Sequence, residues 1–468
     1  VGTIVNSSYV NPSIYYNTLL VNPTAAARDS VTNYSYTFFQ DANNPVQELN
    51  EKTTDTKWNR FSLNGKVTLE PINDLNISTV GSIERFQHIE SVFATYEYFN
   101  GDTRNGEVWR NTKFDELKTF ELLADYSFTI NQSHKTTMLM GYSYQEHNWE
   151  GFNLYNYDYP TELLSYNKPG LGLALKEGNA GMDGYKAKSK LISGFARVNY
   201  SFENKYIASL SVRREGSTKF GTNNKWGTFP SVSVGWNISN ESFLKDVEWL
   251  DNLKARFGYG VTGAEPNNVY LSINRYSYSN PVLSDGSWIW SVGPSVNNNP
   301  DLRWETKKEL NFGIDYSLFH GRFSGSVDLY NRRTDDLIYT YQVPVPPNLV
   351  SDIYANVGSI TNSGVELLIS GIPVQTKNFS WNIATNFSFN KNMLTKLSNE
   401  MYQRDFLELG ATGAPIQKGT HIVREGEPIG NFFGWKSASI ADDGSKWLDA
   451  EGNPITMENS KREILGNG

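Results

Sequence analysis

Thr119-Phe-Glu-Leu-Leu-Ala-Asp-Tyr-Ser-Phe-Thr-Ile130 is the stretch that decides the fold. Phe120, Leu122, Ala124, Tyr126, Phe128 and Ile130 fall on one face of an extended chain. Thr119, Glu121, Asp125, Ser127 and Thr129 fall on the other, and only Leu123 is out of place. Side chains alternate across a strand, so a period of two with one apolar and one polar face is a strand signature. The pattern returns in Leu310, Phe312, Ile314, Tyr316 and Leu318 against Asn311, Gly313, Asp315 and Ser317. It returns again in Phe379, Trp381, Ile383, Phe387 and Phe389 against Ser380, Asn382, Asn386, Ser388 and Asn390. Stretches 58–70, 75–87, 135–146, 191–202, 206–214, 229–238, 253–262, 323–332 and 362–371 behave similarly. About a dozen strands of roughly 9–12 residues are predicted, long enough to cross a bilayer when tilted. Soluble sandwiches use strands of about 5–6 residues.

The connections sharpen this. Short turns are expected at Ile72-Asn73-Asp74, Asn131-Gln132-Ser133-His134, Glu203-Asn204-Lys205 and His320-Gly321-Arg322, with medium ones at Ser239 to Asn252 and Pro373 to Asn378. Between them lie long polar links at 88–117, 147–190, 215–228, 263–307, 333–361 and from 393 onward. Short periplasmic turns alternating with long extracellular loops mark a transmembrane barrel. Loops beyond about 12–15 residues are uncommon in soluble domains. Tyr126, Phe128, Tyr200, Phe202, Tyr206, Phe319 and Phe323 cluster beside the short turns, where an interfacial aromatic girdle sits.

Composition narrows the function classes. The 468 residues include no cysteine, which removes disulfides, thiolate zinc sites and cysteine nucleophiles. A net charge of −8 without a basic block argues against nucleic-acid binding. No apolar run approaches the roughly 18 residues of a membrane helix. Aromatics are abundant, with 12 Trp, 27 Tyr and 25 Phe, which suits a β protein wet on one face. Val1 to Tyr9 show neither a charged n-region nor an apolar h-region, and Ile464 to Gly468 read as loop, so a segment of a larger protein is expected.

From Ala196 the motifs become specific. Ala196-Arg-Val-Asn-Tyr-Ser-Phe-Glu-Asn-Lys-Tyr206, Ser211-Val-Arg-Arg-Glu-Gly-Ser-Thr-Lys-Phe-Gly221, Trp226-Gly-Thr-Phe-Pro-Ser-Val-Ser-Val-Gly-Trp236 and Leu253-Lys-Ala-Arg-Phe-Gly-Tyr-Gly-Val-Thr-Gly263 follow in order. Asn299-Pro-Asp-Leu-Arg-Trp-Glu-Thr306, Asp328-Leu-Tyr-Asn-Arg-Arg-Thr-Asp-Asp-Leu-Ile338, Pro344-Val-Pro-Pro347, Asn356-Val-Gly-Ser-Ile-Thr-Asn-Ser-Gly-Val-Glu366 and Gly426-Glu-Pro-Ile-Gly-Asn-Phe-Phe-Gly434 continue the series. This resembles the barrel of SusC/RagA-type TonB-dependent outer-membrane transporters of Bacteroidota. The resemblance implies a transmembrane antiparallel β-barrel, part of a 22-stranded whole. Residues 1–468 are then a middle-to-late barrel segment of a TonB-dependent receptor, with the plug domain and TonB box not in this chain. The stretch His421 to Lys436 is a possible further strand partner.

No enzyme constellation stands out, and neither catalytic nor metal residues nor a cofactor are predicted. His88, His134, His147, His320 and His421 are scattered without ligand spacing. Asp442-Asp443-Gly444 with Asp449 to Asn453 lacks the order and distal Glu of a calcium loop and fits a solvated turn. Gly258-Tyr-Gly260 lies inside a strand, and Asp335-Asp336 fits a structural role at a strand end. Glu121, Asp125, Arg256, Asp315, Asp328 and Asn386 are expected as lumen wall. The substrate-binding candidates are loop aromatics: Trp109, Tyr155, Tyr157, Trp288, Trp290, Trp304, Tyr339 and Tyr341, with Tyr159 beside them. Flat rings among amides and carboxylates suit sugars, whose ring faces are apolar and whose rims are hydroxyls. The same rings would also serve loop-on-loop packing or a protein interface.

By resemblance, the intact protein imports a nutrient oligomer, an oligosaccharide or alternatively a peptide, across the outer membrane. A SusD-like surface lipoprotein would act as lid, and TonB–ExbB–ExbD would displace the plug. A passive porin or adhesin, and a soluble glycan-active β protein, are the remaining alternatives.

Overall fold

The structure, a computed structural model, describes residues 44–98, 104–411, 418–442, 444, 446–455 and 462–467. Val1 to Tyr9, part of the 88–117 link and Asp443 lie outside the described residues. A short helix, α1 (Pro45–Glu51), is capped by Asn44, whose side chain accepts the Val46 and Gln47 amides at 3.0 and 3.4 Å. Strands follow in the order β1 (Lys52–Ile72), β2 (Leu75–Ala94), β3 (Glu107–Ile130), β4 (His134–Tyr157), β5 (Gly181–Phe202), β6 (Tyr206–Ser217), β7 (Trp226–Asn237) and β8 (Leu250–Ala264). Then come β9 (Arg275–Ser284), β10 (Ser287–Val296), β11 (Glu305–Leu318), β12 (Phe323–Gln342), β13 (Asp352–Gln375) and β14 (Ser380–Lys396). The last are β15 (Phe406–Ala411), β16 (Gly419–Arg424), β17 (Asn431–Trp435), β18 (Ser439–Ile440), β19 (Trp447–Leu448) and β20 (Arg462–Asn467).

One twelve-stranded sheet has the order β1-β2-β3-β4-β5-β6-β7-β8-β11-β12-β13-β14, and its members are the twelve strands the alternation predicts. The predicted short turns are present between β1 and β2, β3 and β4, β5 and β6, and β11 and β12. Their left-handed positions fall on Asp74, Asn131, Gln132, Glu203, Asn204, Phe319, His320 and Gly321.

Several expectations differ from the structure: Ile464 to Asn467, expected as loop, is strand and belongs to β20, which pairs with β17. The links 88–117, 147–190 and 333–361 are strand over much of their length, since β3 begins at Glu107, β4 runs to Tyr157, β12 to Gln342 and β13 begins at Asp352. Alternation of polarity is enforced only where one face meets lipid and the other water; beyond the band the hydrogen-bonded ladder continues under the connecting links, where residues such as Val108, Tyr341 and Val357 are buried, and the signal fades. His421 to Lys436 does not join the large sheet. Its strands β16 and β17 lie in a separate four-stranded sheet of order β15-β16-β17-β20.

The chain divides into two compact units: Val1–Val67, Thr79–Glu121 and Tyr144–Lys190 form one, and Thr68–Ser78, Leu122–Ser143 and Leu191–Gly468 the other. The first carries charge ladders on its strands. Glu146 takes Lys188 at 2.8 Å and Lys190 at 3.5 Å, and Glu116 takes Arg85 and Lys118, each at 2.6 Å.

In the second unit the register shows why the polarity alternates. Tyr200, Ala208, Val234, Phe257, Phe312, Leu329, Val365 and Phe389 are successive cross-strand partners from β5 to β14. Two residues toward the short turns, a parallel row runs Phe202, Tyr206, Trp236, Ala255, Ile314, Val327, Leu367 and Phe387. The first row is largely solvent-exposed, with Phe312 and Phe257 each at 43% and Phe389 at 69%, and the second runs from half-buried to exposed, together an apolar band that marks a membrane-facing surface. At the turn end the Tyr206 hydroxyl and Trp236 indole both donate to Glu241, at 2.7 and 3.0 Å, so each ring keeps its polar atom toward water.

The opposite face is polar. Ser201, Ile207, Gly235, Arg256, Gly313, Asp328, Glu366 and Ser388 form its matching row. Arg256 grips Asp315 with Nε at 2.7 Å and Nη2 at 2.8 Å, and reaches Asp328 at 3.2 Å. Gly313 makes this possible: a Cβ there would stand 2.6 Å from the Arg256 guanidinium carbon. Asp125, another expected wall residue, accepts from Asn76 at 3.1 Å. No helix among the described residues is long and apolar enough to cross a membrane, which says nothing of crossing by strands.

Candidate functional site

The aromatic candidates sit at the loop ends of the strands, where the two units build separate clusters. In the first unit, Trp109 on β3 lies 5.2 Å from Tyr155 on β4, and Tyr155 lies 5.7 Å from Tyr157. Tyr155 and Tyr157 are two residues apart on one strand and therefore share a face. Arg104 covers this stack, its guanidinium 5.6 Å from the Tyr155 ring and 5.1 Å from the Tyr157 ring, and it donates to the Tyr155 hydroxyl. Three sequence-chosen residues thus come together under a cation that sequence reasoning did not single out. No motif marks Arg104, since it lies in an irregular link.

In the same unit, Tyr159 is buried with Phe93 and Val108. Its hydroxyl donates to the Pro169 carbonyl at 2.8 Å, and burial pushes its pKa up to about 12. The loop that follows is folded around Asn156. Its side-chain amide donates to the Pro169 and Gly172 carbonyls at 2.7 and 3.1 Å, and its oxygen accepts the Leu175 amide at 3.1 Å. Tyr159 is therefore a packing ring.

In the second unit the candidates divide. Trp304, 4% exposed, packs on Phe220 at 4.6 Å and edge-on to Phe229 at 5.4 Å, and its indole donates to the Lys225 carbonyl at 3.1 Å. Gly263 and Gly227 clear the space, because a Cβ on either would fall within 2.4 Å of the Phe229 ring. Tyr341, 1% exposed, donates to the Leu397 carbonyl at 2.9 Å, and burial pushes its pKa up to about 12. Tyr339 stands 6.3 Å from it, with Arg404 over its ring at 5.4 Å.

Asparagines tie these links together. Asn297 donates to the Val350 and Asp352 carbonyls at 2.6 and 3.0 Å and accepts the Leu349 and Val350 amides at 3.0 and 3.3 Å. Asn299 donates to the Tyr354 carbonyl at 2.7 Å. Asn356 accepts the Arg303 amide at 2.9 Å and donates to the Arg303 and Asp336 carbonyls, each at 2.7 Å. Nearby, Glu305 accepts the Ile338 amide at 2.8 Å, and desolvation raises its carboxyl above the usual range.

Trp288 and Trp290 have the opposite fate. Each is 69% exposed, on a β9–β10 hairpin that pairs only with itself. Trp288 lies opposite Leu283 and Trp290 opposite Pro281, so both indoles share one face of the hairpin. Its turn is Asp285-Gly286, at φ +49° and +77°, the left-handed pair that a two-residue hairpin turn requires. This hairpin was absent from the predicted strands, although Asp-Gly between apolar runs was its signal.

The candidates therefore give a cation-capped stack, a buried floor and an exposed pair of tryptophans. Asp449, from the segment weighed as a calcium loop, accepts the Glu451 and Asn453 amides at 3.1 and 2.7 Å, as in a polar turn.

The family described as TonB dependent receptor-like, beta-barrel matches residues 5–431. A TonB-dependent receptor of Formosa agariphila is 33% identical over 407 residues, covering 85% of this chain and 36% of its own length. The TonB-dependent receptor SusC of Bacteroides thetaiotaomicron is 33% identical over 291 residues, covering 61% of this chain and 28% of its own. Among solved structures, the RagAB peptide transporter superposes with a TM-score of 0.76 at 25% identity, over 92% of this chain and 46% of that one. The chain spans less than half the length of these relatives.

Proposed function

This chain belongs to the TonB-dependent receptor β-barrel family, and on that premise we propose that it is a barrel segment of an outer-membrane importer whose cargo is an oligosaccharide. The plug, the TonB–ExbB–ExbD coupling and a SusD-like lipoprotein lid are proposed for the whole protein. The observation that carries the cargo class is the pair Trp288 and Trp290, each 69% exposed on one face of a projecting hairpin. Exposed indoles present broad apolar planes at little conformational cost, and sugar C–H faces match them. The Trp109–Tyr155–Tyr157 stack under Arg104 is a second ring surface suited to the same chemistry. Trp304, Tyr341 and Tyr159 hold the loops that present these surfaces, and Tyr339 stands beside Tyr341.

Peptide cargo is the second reading, favoured by the fold shared with the RagAB peptide transporter. The two separate in a binding titration of the full-length receptor, with its lipoprotein partner, against oligosaccharide and peptide libraries. Oligosaccharide binding that falls at least tenfold in Trp288→Ala/Trp290→Ala is expected. Peptide binding alone would replace the first reading with the second. Uptake that persists in cells lacking TonB would instead point to a passive pore.

A further inference from the structure

The apolar band ends differently at its two rims. At the turn end of the second unit it closes in aromatic rings, Tyr206 and Trp236 among them, with their polar atoms on Glu241. Toward the loops, the row beyond Phe312 reads Val198, Leu210, Val232, Tyr259, Leu310, Asn331, Ser363 and Lys391. One step further, Lys308 pairs with Arg333, Arg333 with Thr361 and Thr361 with Met393. Three cations therefore face outward within two rows of the band, a distance of about 13 Å along the strands at ~3.3 Å per residue.

Asp335 is the single carboxylate among them. It takes Lys308 at 3.3 Å, Arg333 at 2.7 Å and the Ser359 hydroxyl at 3.0 Å. The Lys308 and Arg333 side chains remain 50% and 53% exposed, and Lys391 is exposed without an ion pair among the described residues. The patch thus keeps two positive charges in excess. Directly below it, a shallow groove is lined by Phe257, Leu310, Phe312, Leu329, Val365 and Phe389, with Lys391 at its upper end. An apolar channel topped by fixed cations is complementary to a lipid that carries phosphate on its headgroup.

We propose that the outward face of β8 and β11–β14 is a docking site for a phosphorylated glycolipid of the outer leaflet. Its phosphate rests between Lys391 and the Lys308–Arg333 pair, and an acyl chain lies in the groove. The site depends on the barrel's orientation, with long loops outside, and is independent of which cargo is imported.

The test uses the full-length receptor in phosphatidylcholine nanodiscs, titrated with fluorescent lipid A in its diphosphorylated and fully dephosphorylated forms. The phosphorylated form binds at least tenfold more tightly if the assignment holds. Lys391→Gln weakens it about fivefold, and the Lys308→Gln/Arg333→Gln/Lys391→Gln variant roughly a hundredfold, at ~1 kcal/mol per cation near an anionic surface. Lys391→Arg retains binding. Equal affinity for the two lipids overturns the proposal without recourse to any variant, and so does unaltered binding by Lys391→Gln. Displacement by inorganic phosphate in excess would mark a free-anion site and also overturn it. Cargo uptake measured in parallel reports on the transport proposal separately.

Discussion

Two stretches of the same connection, 263–307, contain tryptophans with opposite environments. Trp304 is buried against Phe220 and Phe229 beside the asparagine ties, whereas Trp288 and Trp290 project on a hairpin that pairs only with itself. The difference lies in the neighbours, since the residue type is constant. Around Trp304, glycines remove the side chains that would block its floor, and Asn299 and Asn356 satisfy backbone groups that would otherwise be stranded. Around Trp288, Asp285-Gly286 closes a turn, and nothing in the hairpin requires a second layer. Burial in this connection is therefore achieved by polar ties and glycine notches as much as by apolar content.

Substitutions can break this contrast. The largest effect is expected for Trp304→Ala, which removes a buried ring and should cost about 3–5 kcal/mol. Limited proteolysis of the reconstituted receptor would register it as new cleavage in 215–228 and 263–307. Resistance equal to the parent protein would show that the Phe220–Phe229 floor stands without Trp304. Asn297→Ala comes next. It strands up to three backbone groups, since the Asp352 carbonyl keeps the Asn297 backbone amide, and at about 1–3 kcal/mol for such a loss the Leu349 and Val350 amides should exchange hydrogen markedly faster. Unchanged exchange at both would refute the tie. Trp288→Ala/Trp290→Ala should move stability by no more than about 0.5 kcal/mol while weakening ligand binding. A large stability loss would mean that the hairpin packs on something after all.

Glu305→Gln should give the smallest effect. Desolvation raises the Glu305 pKa in the folded state, so its stabilising contribution is present below the unfolded-state carboxylate pKa and is lost as pH rises through the higher folded value. The glutamine keeps an acceptor for the Ile338 amide and carries no charge. Exchange protection of Ile338 should therefore be more pH-independent in the variant, and slightly greater near neutrality. The opposite slope would mean that the Ile338 hydrogen bond outweighs burial.

The contrast also explains what the sequence revealed. All twelve sheet strands were legible because lipid imposes a strict alternation on residues such as Phe312 and Asp315. Beyond the apolar band, as in β3 from Glu107 to Glu116, the strand is covered by neighbouring links, with Glu107, Val108 and Glu116 all buried, so polarity no longer alternates and the strand reads as loop. The candidate site was legible as composition: rings among amides at the loop ends. Nothing local separates Trp304 from Trp290, because burial depends on Phe220 and Phe229, remote in sequence. Arg104 escaped notice for the same reason, its role being defined by Tyr155 and Tyr157 some fifty residues away.

The spacing of the apolar rows also sets a length. From Leu318 to Leu310 the outward residues span about 26 Å along β11 at ~3.3 Å per residue, or roughly 20 Å perpendicular to the membrane at a tilt near 40°. The barrel wall is thus matched to a thin hydrocarbon layer, and a thicker one would have to compress around it or leave polar rows in contact with acyl chains. Hydrophobic mismatch then becomes a sorting rule. Reconstitution in lipids of a single headgroup should be most efficient at short chain length and fall as chains lengthen.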